Sequence, residues 1–94
     1  MRRAGRIDPV QRDIVRALRA AGCSVQPIQS TSASDKGVPD LLVGRGQINY
    51  VLEVKTPGEH LNDAQVEWHN RWRGKMPAVV RSVDEALRAC EVWK

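Results

Sequence analysis

In GVPDLLVGRGQINYVLEVKTPG, residues 37–58, Asp40 heads one apolar run and Glu53-Val54-Lys55 closes the next. Two carboxylates brought close repel, and burying either is costly unless a cation compensates them. A hard divalent ion, Mg²⁺ or Mn²⁺, would do so. Such ions prefer oxygen ligands and keep several waters, which leaves room for a phosphate oxygen from a substrate. A neighbouring Lys55 can orient a metal-bound water or offset charge developing on phosphorus. Together these parts fit hydrolysis of a phosphodiester. The competing reading is a plain surface salt bridge between Glu53 and Lys55, because Glu-x-Lys triplets are common by chance.

For the three charges to meet, the two runs must pair. DLLVG and INYVLEVK are β-rich and separated by Gly44-Arg45-Gly46-Gln47, which predicts an antiparallel hairpin. Alternation along the second strand puts Asn49, Val51, Glu53 and Lys55 on one face and Ile48, Tyr50, Leu52 and Val54 on the other. Asp40 then falls beside the end of the second strand, next to Glu53 and Lys55. Gly37 and Gly44 are expected in tight turns, with Gly37 and Lys36 also placed to approach a phosphate.

The remaining elements frame this hairpin. IDPVQRDIVRALRAAGC predicts a helix with Asp8 as N-cap, Pro9 at its first position, an apolar face of Val10, Ile14, Ala17, Leu18 and Ala21, and a stop at Gly22. SVQPIQ reads as an edge strand, since Pro27 lacks a donor for a sheet ladder. LNDAQVEWHNRW predicts a helix capped by Asn62, with Gln65 placed to complete a capping box and Leu61 and Val66 as a staple. PAVVR is a fourth strand. SVDEALRACEVWK predicts a C-terminal helix opened by a box between Ser82 and Glu85. The order is α-β-β-β-α-β-α. Trp68 and Trp72 are expected in a core or interface, His60 in an exposed loop and His69 on the surface.

Composition narrows the function classes. The chain has 94 residues, read as one domain over 1–94 with a basic arm at 1–7, and 15 Lys and Arg against 11 acidic residues give a net charge of +4. That balance suits a polyanionic partner. Arg12, Arg16 and Arg19 share one helix face, where planar guanidinium forks could hold phosphates or simply stay solvated. Cys23 and Cys90 lack metal-ligand spacing and are expected as reduced thiols. With no long apolar segment and no signal-peptide pattern, a cytoplasmic protein without membrane contact is expected.

The Pro39-Asp40 and Glu53-Val54-Lys55 pair resembles the signature of the PD-(D/E)xK nuclease superfamily. More narrowly, GVPDLLVG, YVLEVK, LNDAQVEWHNRW and AVVRSVDEAL in that order resemble the VRR-NUC family, the virus-type replication-repair nucleases, from about Asp8 to about Ala89. The resemblance implies an α/β fold with a restriction-endonuclease-like αβββαβ core, a small mixed sheet flanked by helices, and a C-terminal helix. It also implies a metal-dependent DNA endonuclease. Asp40, Glu53 and the Val54 carbonyl would bind Mg²⁺ or Mn²⁺, Lys55 would assist the attacking water, and Gln65 matches the family glutamine. Gln65 thus has two expected roles, cap and active site, competing for one side chain. Many relatives carry a first-helix acid that reaches the metal, for which Asp13 and Asp8 are the candidates here. Lys36, Arg12 and Arg16 are candidate DNA contacts.

Stand-alone relatives resemble junction resolvases in size, so the expected activity is structure-selective cutting of branched DNA (four-way junctions or flaps) or nicking, by a homodimer with no organic cofactor. The family implies a nucleoid-associated enzyme, and its virus-type name leaves room for a phage gene in a bacterial host. The alternatives are a DNA-binding module without catalysis and a small interaction domain whose charges are surface pairs.

Overall fold

The computed structural model of the protein describes residues 9–29 and 36–93. Seven elements follow the expected order: α1 (Pro9–Ala20), β1 (Ser24–Pro27), β2 (Leu41–Arg45), β3 (Ile48–Val54), α2 (Asp63–Arg71), β4 (Ala78–Val80) and α3 (Val83–Ala89). The four strands form one mixed sheet in the order β1-β2-β3-β4, antiparallel except for the β3–β4 pair. Pro27 lies at the end of edge strand β1, as its missing N–H requires. This is the restriction-endonuclease-like α/β architecture.

One face of the sheet carries the apolar core. Leu41, Val43, Tyr50, Leu52 and Val80 pack with Ile14 and Leu18 of α1 and with Ala86, Leu87 and Cys90 around α3. Both helices therefore cover the same face. Two thiols, Cys23 and Cys90, are buried and free, and burial pushes the Cys90 thiol up to about 11. No helix among the described residues is long and apolar enough to cross a membrane.

Helix ends follow local chemistry, with two departures from expectation. Gly22 ends α1 as foreseen: it is left-handed, Cys23 N–H donates to the Leu18 carbonyl and Gly22 N–H to that of Arg19, a Schellman stop. By contrast α3 ends at Ala89 rather than continuing through CEVWK. Glu91 is left-handed there and Val92 N–H returns to the Leu87 carbonyl, making the same stop without a glycine. Its side chain is held by the Tyr50 hydroxyl, which donates to Glu91 Oε2 at 2.9 Å. At the start of α3 only half the expected box forms. Ser82 Oγ accepts from Glu85 N–H, while Glu85 reaches past Ser82 to accept from the Arg81 N–H at 2.7 Å.

The hairpin turn is also tighter than expected. Gly44 and Arg45 stay in β2, opposite Asn49 and Ile48, and the turn is Gly46-Gln47 alone, both left-handed as a type I′ turn requires. The expected N-cap Asp8 and the arm at 1–7 lie outside the described residues.

Candidate active site

The site forms on the other face of the sheet. The β2–β3 register pairs Leu41 with Leu52, so its continuation sets Asp40 directly opposite Glu53. Backbone bonds hold Asp40 in that place: its N–H donates to the Leu52 carbonyl at 3.0 Å and its carbonyl accepts from Ile28 N–H at 2.8 Å. Its side chain turns toward β3, where Oδ2 accepts from the Val54 N–H at 2.8 Å. Like charges directly across an antiparallel pair destabilise it, so this arrangement has a cost that a folded protein has kept.

Helix α2 closes over the pair. Gly37, at a φ of +81°, lies so close to the first turn of α2 that a Cβ there would sit 2.2 Å from the Ala64 carbonyl oxygen. Only glycine allows that approach. Gln65 then uses both ends of its amide. Its Oε1 accepts from the Asn62 N–H at 2.9 Å, completing the capping box, while its Nε2 donates to Glu53 Oε2 at 3.3 Å. The two expected roles do not compete: the carbonyl caps the helix and the amino group faces the carboxylate.

One turn further along α2, His69 is buried rather than on the surface, 7 % exposed, with Nε2 3.5 Å from Glu53 Oε1. Sequence reasoning passed over it, although a residue four after Gln65 shares its helix face. Lys55 continues the line of β3, its N–H donating to the Val80 carbonyl, and its ammonium lies 3.8 Å from Glu59 rather than pairing with Glu53. Glu59 is itself held by the Thr56 N–H and hydroxyl. The reading of Glu53 and Lys55 as an exposed salt bridge is thereby excluded, because Glu53 is only 1 % exposed.

Burial, first, and then hydrogen bonding and repulsion from Asp40 raise the Glu53 carboxyl to about 9, with Lys55 opposing. Burial lowers His69. Burial therefore disfavours the charged form of both groups, so the contact gains little from charge. Glu53 Oε1 and His69 Nε2 are both sealed from solvent without a hydrogen-bond partner.

This donor set fits a hard divalent cation. Two opposed carboxylates, one of them buried with an unpartnered oxygen and its ionised form disfavoured, are oxygen ligands that a cation would stabilise in ionised form. Among the described residues no cluster of three His, Cys, Asp or Glu forms a metal cage, so water and substrate oxygens would complete the shell.

Comparison with known proteins places this geometry. A family model described as archaeal Holliday junction resolvase (Hjc) matches residues 1–85. The chain belongs to the Hjc family. A solved structure described as a VRR_NUC domain is 27 % identical, covers 90 % of this chain and 94 % of its own, and superposes with a TM-score of 0.72. Both lie in the PD-(D/E)xK superfamily, so the Hjc-family chain is a nuclease. No curated protein matches it.

The other expected residues of this Hjc-family nuclease lie on several elements. Val54 faces Asp40 through its N–H. Lys36 is exposed next to Gly37, at the first turn of α2. Arg12 and Arg16 line a groove of about 420 Å³ with Gln11, Val15, Arg19 and Pro27. That groove ends at β1, whose next residue, Ile28, donates to the Asp40 carbonyl. Asp13 is exposed on α1, with no hydrogen bond or ion pair to the carboxylates among the described residues, and Asp8 lies outside them.

Proposed function

We propose that this Hjc-family nuclease is a divalent-metal-dependent endonuclease that cuts branched DNA, four-way junctions foremost, as a homodimer presenting two sites. The observation that carries the reading is the register that sets Asp40 opposite the buried Glu53, with α2 closing over that carboxylate. Asp40, Glu53 and the Val54 carbonyl would hold Mg²⁺ or Mn²⁺. When bound, the cation would neutralise the pair, polarise the scissile phosphodiester and lower the pKa of a bound water.

The chain's own groups do the rest. Gln65 sets the Glu53 carboxylate through Nε2 and its cap keeps that amide in place. Lys55, next to the carboxylates, orients the attacking water and offsets charge growing on the phosphate oxygens. Lys36 lies on the α2 side of the site, and the groove of Arg12 and Arg16 on the β1 side, where guanidinium forks suit phosphates.

The test is cleavage of labelled single strand, duplex, flap and four-way junction with Mg²⁺, Mn²⁺ or EDTA. Wild type should cut the junction only with metal. Glu53→Gln should bind the junction but cut at least about 10²-fold more slowly, since it loses a charge that acts at the reacting centre. No cutting of any substrate by folded wild type would overturn the reading in favour of a DNA-binding module.

A further inference from the structure

Glu53 Oε1 and His69 Nε2 are the only two buried side-chain polar atoms among the described residues that lack a hydrogen-bond partner, and they face each other at 3.5 Å. A buried polar atom left unpaired gives up its hydration with no hydrogen bond in return. Two such costs at one contact call for a reason. The ring is not loosely placed: Trp68 packs edge-on against it, with centroids 6.3 Å apart. Gln65, four residues earlier on the same helix face, already takes the other Glu53 oxygen. Thus α2 aims one polar group at each oxygen of one carboxylate, and the helix itself is seated by the Gly37 approach and the Asn62 cap.

We propose that His69 is a positioning residue for Glu53: its Nε2 holds Oε1 while Gln65 holds Oε2, fixing the plane in which the carboxylate meets the cation. This rests on the metal-dependent reading above. A 3.5 Å contact is too long for a good hydrogen bond, but contacts of this kind are often long in the unloaded site and tighten when it fills. Partners that orient a ligating carboxylate typically govern metal affinity by 10–100-fold. A histidine that merely filled space would be replaceable by any apolar side chain of its size.

The experiment is Mn²⁺ titration, followed by the paramagnetic signal of the free ion, on wild type, His69→Leu and His69→Gln, with folding checked by circular dichroism. Gln can place an amide nitrogen near the position of Nε2, whereas Leu cannot. His69→Leu should bind Mn²⁺ about 10–100-fold more weakly, and His69→Gln should regain most of the loss. Equal affinity in His69→Leu and wild type would overturn the proposal, as would His69→Gln binding no better than His69→Leu. If His69→Leu does not fold, His69→Gln is compared with His69→Asn, whose shorter arm cannot reach Oε1; equal affinities there would overturn it too. Failure of wild type to take up Mn²⁺ would overturn both this proposal and the metal-dependent reading, whereas uptake unaffected by His69 overturns this one alone.

Discussion

Leu52 and Glu53 are neighbours on β3 and both are essentially inaccessible to solvent, yet they are buried for opposite reasons. Leu52 faces α1 and α3 among other apolar side chains, where each contact removes hydrocarbon from water and stabilises the fold. Glu53 faces Asp40, Gln65 and His69, where burial drives its carboxyl up to about 9 and leaves an oxygen unpartnered. One side of the strand is buried for stability, the other in spite of it. Polar burial that costs stability is what a site for a charged ligand looks like before the ligand arrives.

That contrast can be broken by substitution. Leu52→Ala should cost about 2–5 kcal/mol in chemical denaturation, from lost transfer energy and a cavity in a packed core. Glu53→Gln, one residue away, should cost little and raise the stability of the metal-free protein at pH 8. Equal destabilisation by the two would mean that Glu53 is ordinary core. Gly37→Ala should come next, at about 1–3 kcal/mol, since it combines a left-handed φ with a Cβ driven into the Ala64 carbonyl. Because the shift needed to relieve that clash moves α2, it should also weaken Mn²⁺ binding, which Leu52→Ala should not.

The pH dependence reads the same contrast without touching the core. Glu53 has its folded pKa raised above the unfolded value of 4.5, so its contribution is fully present below about 4.5 and is lost as pH rises toward about 9. Metal-free wild type should therefore lose stability relative to Glu53→Gln across that window in thermal melts. Coincident curves for the two proteins would contradict the raised pKa.

The alternation of β3 and the Pro-Asp at the head of β2 made the Asp40–Glu53 juxtaposition legible from the sequence, because strand parity and a short hairpin leave one register. The capping chemistry of α2 was legible for the same local reason. His69 was not, because a nine-residue helix carrying Trp68 and His69 and capped by Trp72 has apolar character on several sides, and only the sheet's position decides which side is covered. Trp72 is 45 % exposed in the single chain, stacked on Trp68 with centroids 4.7 Å apart. Gln65 shows a second limit. Sequence spacing assigns a residue a role, but an amide has two ends, and only tertiary structure shows that both are used. The early end of α3 illustrates a third, since a left-handed Glu91 depends on its tie to Tyr50, a long-range contact no local pattern contains.

The most direct test of the central claim, that a cation replaces a proton at the buried Glu53 beside Asp40, is the proton count on Mn²⁺ binding. Calorimetric titration near pH 7.5 in buffers of different ionisation enthalpy measures it. Wild type should release about one proton per site, the one that burial and Asp40 keep on Glu53, and Glu53→Gln should release none. Mn²⁺ uptake without proton release, or identical release by both proteins, would contradict the account.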